Sequence, residues 1–142
     1  MGDRMDIPLP DSLYELDIVL VGINHPGNLG AVCRTMLNHG FNRLCLVNPQ
    51  CSVDDEEARN RAKHSGQILD NARIFSTLKD AVSESSLVVG TSGKREVGSK
   101  VLKRHFVLPW EFAEKIRNLK LIMSEAANKV IGCQIQVDTQ II

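Results

Sequence analysis

Two stretches of this 142-residue chain gather side chains able to do chemistry. The first runs His25-Pro26-Gly27-Asn28-Leu29-Gly30-Ala31-Val32-Cys33-Arg34. Gly27 and Gly30 permit close backbone approach, and Asn28 can either cap a helix or turn its carboxamide toward a ligand. At helical spacing Gly30, Arg34 and Asn38 fall on one line, four residues apart. Arg34 stands among apolar neighbours, so its guanidinium must meet a carboxylate or a phosphate, or else reach solvent. Periodicity leaves two readings open: an anion-binding arginine beside a ligand-facing asparagine, or a surface arginine and a helix cap. The second stretch is Lys94, Arg95, Lys100, Lys103 and Arg104, opposed only by Glu96. Such a run can neutralise phosphates, or can simply be a solvated loop.

Several other chemistries are excluded. The first loop reads GxxGAxxR rather than GxGxxG, and no acidic residue follows the second strand, which ends LVNP. Dinucleotide binding of the Rossmann type is therefore disfavoured. Neither a phosphate-binding Walker loop nor a GxSxG nucleophile elbow is present. Cys33, Cys45, Cys51 and Cys133 form no CxxC pair and the four histidines complete no zinc spacing, so no metal is expected. Cys33 and Cys45 lie in apolar periodic segments and read as small buried hydrophobes.

The elements that must position these residues alternate along the chain. Glu15–Gly22 reads as a buried strand, Leu29–His39 as a helix closed by Gly40, and Arg43–Val47 as a second strand stopped by Asn48-Pro49. Asp54–Lys63 follows as a charged helix started from Ser52, then Asn71–Phe75 as a short edge strand and Thr77–Val82 as a helix capped by Ser76 or Thr77. Leu87–Gly90 is a third clear strand, Pro109–Arg117 a helix and Leu119–Met123 a fourth strand. Strand–helix alternation of this kind predicts an α/β fold: an open parallel sheet flanked by helices, with ligands beyond the carboxyl ends of the strands.

Composition fits one such domain, spanning 15–142 after a loose arm over 1–14. A hydrophobic fraction of 43% excludes a disordered chain, while 4% aromatics make the core aliphatic. The longest apolar run, Ile18–Ile23, is too short to span a membrane, and the acidic start is unlike a signal peptide. A soluble cytoplasmic protein is expected. Its net charge of zero hides an asymmetry: residues 1–70 carry 6 basic and 10 acidic side chains, residues 71–142 carry 11 and 7. The positive excess sits in the second half, around the basic stretch.

The segments IVLVGINHPGNLGAVCRTMLNHGFNRLCLVNP and LVVGTSGKR, from about Glu15 to Arg95, resemble the N-terminal part of the SPOUT-class RNA methyltransferases. The likeness is greatest to the TrmJ branch of the SpoU group, which methylates a ribose 2′-hydroxyl in the tRNA anticodon loop. The resemblance implies a SPOUT-like, Rossmann-like fold and a homodimeric enzyme that uses S-adenosylmethionine on RNA, tRNA above all. It implies a catalytic role for Arg34, with Asn28 shaping the same pocket. Thr91, Ser92 and Gly93 would border the cofactor, and Lys94, Arg95, Lys100, Lys103 and Arg104 would join Arg34 in holding RNA.

The family's later motifs are altered. In LKLIMSEAANKVIGCQIQVDTQII, Ser124, Ala126 and Lys129 stand where the family has Gly, Glu and Gly. Asp138–Ile142 resembles the strand before the family's last motif, and the given sequence ends there, before an SLN segment. An incomplete trefoil-knot segment and an incomplete cofactor pocket are therefore expected. The competing expectation is a non-catalytic form of the fold that binds RNA or a partner; a metabolite-binding domain is the third.

Overall fold

In a computed structural model of the chain, the described residues are 14–91, 109–125 and 131–137. They build a five-stranded sheet: β1 (Tyr14–Val21), β2 (Arg43–Val47), β3 (Arg73–Phe75), β4 (Leu87–Thr91) and β5 (Ile131–Val137). The order is β3-β2-β1-β5-β4 and every pairing is parallel. The helices between them are α1 (Pro26–Asn38), α2 (Glu56–Ala62), α3 (Gly66–Asp70), α4 (Leu78–Ala81) and α5 (Pro109–Glu125), with a 3₁₀ turn at Lys63–Ser65 joining α2 to α3. The open parallel α/β sheet is the architecture that the strand–helix alternation predicts.

The pleat divides β1 between two cores. Leu16, Ile18 and Leu20 face a layer built from Leu29, Cys33 and Met36 of α1, Ala58 and Ala62 of α2, and Ile68 and Leu69 of α3. Phe112 and Ile116 bring α5 onto the same face. Val19 faces the other side with Cys45, Val47 and Ala81 of α4. Side chains two apart on a strand share a face, so one short sequence serves two layers. Each fully buried aliphatic side chain contributes about 1.5–3 kcal/mol. No helix among the described residues is long and apolar enough to cross a membrane.

Helix boundaries follow capping chemistry. The α1 helix begins at Pro26, three residues before the Leu29 start that periodicity predicts, because proline's fixed φ suits the first helical position. Its N-cap is His25, with no side-chain cap bond, so Asn28 is not the cap. At the other end Gly40 adopts φ 80, its N–H donates to the Leu37 carbonyl at 3.1 Å, and the Phe41 N–H donates to the Met36 carbonyl at 2.8 Å. That bond pair is a Schellman closure, which requires a residue at ease with positive φ. The α2 helix is capped by Asp55, which accepts from the Glu57 N–H at 2.9 Å, rather than by Ser52; Ser52 accepts from the Asp54 N–H one turn earlier. Thr77 caps α4 as the sequence suggests.

Two corrections concern the last third of the chain. Leu119–Met123, expected as a strand, belongs to α5, which runs unbroken to Glu125. Phe112, Ile116, Leu119 and Met123 recur at helical spacing, and a short apolar run read in isolation cannot separate helix from strand. The strand is instead Ile131–Val137, which lies between β1 and β4 and pairs with both. The arm over residues 1–13, the basic stretch and Asp138–Ile142 lie outside the described residues.

Candidate functional site

The carboxyl edge of the sheet is stitched by backbone bonds. Gly22, at φ 62, donates its N–H to the Val47 carbonyl at 2.8 Å. The Ile23 carbonyl accepts from the Gln50 N–H at 2.7 Å, and Asn48 at φ 44 donates to the Phe75 carbonyl at 2.9 Å. The Cys51 thiol, raised by burial, also turns toward the Ile23 carbonyl. These bonds fix the loop between β1 and α1 against the loop between β2 and α2. The exit direction of α1 is thereby set: its first turn opens at this edge, with the Asn28 and Leu29 N–H groups donating to the His25 carbonyl.

Asn28 and Arg34 are both exposed on α1. Six residues separate them, so they sit about 9 Å apart along the axis and about 120° apart around it. Their side chains therefore leave the helix on different sides, and a ligand touching both must extend over nearly two turns. Arg34 reaches solvent and has no ion-pair partner among the described residues, the last of the fates open to its guanidinium. Of the line Gly30, Arg34 and Asn38, the first is buried and the other two are exposed.

The glycines serve a different neighbour from the one the sequence suggests. A Cβ on Gly30 would collide with the Ala58 carbonyl oxygen and lie 2.9 Å from the Ala62 nitrogen; one on Gly27 would lie 2.5 Å from Glu57 Oε1. Their closeness admits α2, not a ligand. Ala58 and Ala62, four apart and fully buried, are the matching signal on the partner helix. Reading the two helices together would have found this contact.

Thr91 ends β4 in an exposed position. It registers with Val137, which registers with Leu20, so it stands two strands, about 10 Å, from β1. A Cβ on Gly90 or Gly22 would meet nothing within 4 Å. Among the described residues, Gly22 and Gly90 thus leave open space beside their backbone at this edge of the sheet. Ser92, Gly93, Lys94, Arg95, Lys100, Lys103 and Arg104 lie outside the described residues. No group of three or more His, Cys, Asp or Glu that could hold a metal occurs among the described residues.

A cavity of about 580 Å³ opens at the opposite end of the sheet, lined in part by Leu37, Phe41, Arg43, His64, Asn71 and Arg73. Beside it Asp17 accepts from Arg43 Nε and from Arg73 Nη2, the latter at 2.7 Å, and Arg43 Nη1 reaches Glu15 at 2.6 Å. Burial alone would raise the Asp17 carboxyl; the two guanidinium groups outweigh it and hold the group below the usual carboxylate range. The cluster ties the amino ends of three strands together and is remote from α1's first turn. Cys33 is pushed up to about 12 by burial and Cys45 is raised for the same reason, so both are inert thiols in packed positions.

The sequence pattern of the SpoU rRNA Methylase family matches residues 15–118, from β1 into α5. The chain belongs to that family. It is 37% identical over 105 residues to a tRNA (cytidine-2′-O-)-methyltransferase TrmJ of Methanocaldococcus jannaschii, covering 74% of this chain and 45% of that one. Over 120 residues it is 43% identical to a tRNA (cytidine/uridine-2′-O-)-methyltransferase TrmJ of Citrobacter koseri, covering 84% of this chain and again 45% of the relative. The structure of a probable methylase family protein from Haemophilus influenzae superposes with TM-score 0.70 at 30% identity, covering 93% of this chain and 49% of that one. The chain thus spans about half the length of these SpoU methylase relatives. The segment that carries the family's HPGNxGAxxR pattern is, in this structure, the first helix with the turn before it.

Proposed function

We propose that this chain forms the methyl-transfer domain of an RNA ribose 2′-O-methyltransferase of the TrmJ type, with tRNA as substrate and S-adenosylmethionine as methyl donor. What carries the reading is that the family pattern folds as one helix, opening at the carboxyl edge of a parallel sheet, with an exposed Arg34 available to an anion. Relatives named as tRNA 2′-O-methyltransferases support the substrate class. A homodimer working on tRNA in the cytoplasm completes the proposal.

Bound S-adenosylmethionine supplies an electrophilic methyl group on a sulfonium. Thr91, at the carboxyl end of β4, would hold it together with Ser92 and Gly93. A guanidinium is a poor base but a good bidentate phosphate ligand, which is the role Arg34 is suited to. It fixes the target phosphate so that the ribose 2′-oxygen faces the methyl group, and the gain is one of positioning. With the cofactor bound, the methyl group would pass from sulfur to the 2′-oxygen, the sulfur–carbon bond breaking as the oxygen–carbon bond forms, and the hydroxyl proton would leave to a phosphate oxygen or to water. Asn28 offers a carboxamide at the mouth of the same edge, and Lys94, Arg95, Lys100, Lys103 and Arg104 would neutralise flanking phosphates.

A second reading, a non-catalytic RNA-binding form, is favoured by one observation. The α5 helix continues through Ser124 and Glu125, where the family resemblance leads one to expect a glycine-rich segment. Calorimetric titration with S-adenosylmethionine and S-adenosylhomocysteine separates the two. Micromolar binding, about 8 kcal/mol, followed by methyl transfer to tRNA, establishes the enzyme; a folded chain that binds neither cofactor is the non-catalytic form.

A further inference from the structure

On the side of α1 that faces α2, two glycines leave a strip without side chains, and one arginine fills it. The position a Cβ would take on Gly30 lies 2.9 Å from Arg61 Cβ, and the corresponding position on Gly27 lies 3.1 Å from Arg61 Nε. The Arg61 side chain therefore runs along α1 from the Gly30 turn to the Gly27 turn, toward the carboxyl edge of the sheet. Arg34 follows Gly30 by four residues, so it rises from the same strip, and helical side chains lean toward the helix amino terminus. Two guanidinium groups thus border the strip where α1 meets α2.

The ion pair Arg61 makes among the described residues does not consume it. Glu57 lies at 3.5 Å, four residues earlier on α2, and the Arg61 side chain is 60% exposed. Such a pair yields readily to a phosphate, which offers shorter, charge-assisted bonds. Arg59 on the same helix differs, because Asp54 at 2.8 Å and Asp70 at 2.6 Å hold it from both sides.

We infer that Arg61 is a second phosphate contact, a positioning residue that holds the RNA backbone beside the nucleotide fixed by Arg34. The inference rests on the RNA reading above. It also assigns the Gly27 and Gly30 strip a purpose beyond packing: without Cβ atoms there, the Arg61 stem lies flat and its head points at the site.

The test measures affinity of the full chain for a labelled synthetic RNA stem–loop across a series of salt concentrations. Arg61→Gln should weaken binding several-fold for every RNA sequence and reduce the slope of log K against log salt by about 0.7–1, the signature of one lost phosphate contact. Arg61→Lys should restore most of the slope. Glu57→Gln, which releases Arg61, should tighten binding, a change that a purely structural role would not produce. Lys79→Ala, on α4 across the sheet, is the control and should leave the slope unchanged. If wild-type binding is salt-dependent and Arg61→Gln keeps its full slope with an unaltered melting temperature, the inference is overturned while the RNA reading stands. If the wild-type chain shows no salt-dependent RNA binding, the RNA reading itself fails and takes this one with it.

Discussion

Gly30 of α1 and Ala58 of α2 meet backbone to backbone, with no room between them for a methyl group. This contact sets how α2 lies across α1, and with it the strip from which Arg34 rises. Gly30→Ala should gain the modest helix propensity of alanine, up to about 1 kcal/mol. It should lose more, about 1–3 kcal/mol, because the atoms met are backbone and cannot swing aside. Chemical denaturation should therefore show a net loss of stability. An unchanged or raised midpoint would show that the two helices separate freely.

Asp17 makes stability depend on pH in a defined direction. Its carboxyl is held below the usual carboxylate range by Arg43 and Arg73 against the opposing effect of burial. A depressed folded pKa means the unfolded chain binds the proton more readily. The contribution is thus fully present above the unfolded value near 3.8 and lost as pH falls through the folded value. Asp17→Asn should cost about 1–3 kcal/mol near neutral pH, since it leaves two guanidinium groups short of a carboxylate. The difference between wild type and variant should shrink below pH 4, and a pH-independent difference would contradict the assignment.

How much of this was legible in the sequence depends on how local the determining physics is. The strands β1, β2 and β4 are visible as short apolar runs ended by Gly or Asn-Pro, and the α1 stripe of Leu29, Cys33 and Met36 has helical spacing. What escaped needed partners far along the chain. Leu119–Met123 is apolar enough for either state, and its helical identity comes from continuity with Phe112 and Ile116 packed on the core. Ile131–Val137 alternates cleanly, yet only pairing with both β1 and β4 makes it an interior strand. At the site, the importance of Asn28 and Arg34 came from a family pattern, whereas Arg61 is invisible without knowing that α2 crosses at the glycines.

Lys63 occupies a backbone conformation that suits glycine, φ 53 with ψ −116, where α2 gives way to the 3₁₀ turn. A side chain in this region costs about 1 kcal/mol or more, and replacement by glycine removes the clash. Lys63→Gly should accordingly raise the melting temperature by about 2–4 °C, less whatever the added unfolded-state entropy of glycine takes back. Lys63→Val should lower it, since a β-branched residue fits this conformation worse. Equal melting temperatures for all three would show that the turn relaxes at no cost.

Arg34 separates chemistry from folding because it does one without the other. It is exposed, it bonds to no acidic group among the described residues, and α1 is held by Leu29, Cys33 and Met36 on the opposite side. Arg34→Ala should therefore shift stability by no more than about 0.5 kcal/mol. If its guanidinium fixes the target phosphate, the same variant should abolish methyl transfer to tRNA while cofactor affinity stays near the wild-type value. Arg34→Lys restores the charge but not the planar fork, so it should recover RNA binding better than it recovers rate. The pattern to look for is a split: Kd for RNA close to wild type, turnover depressed by orders of magnitude. Equal recovery of both would make Arg34 a plain electrostatic contact, with the alignment of the 2′-hydroxyl supplied by another group such as Asn28.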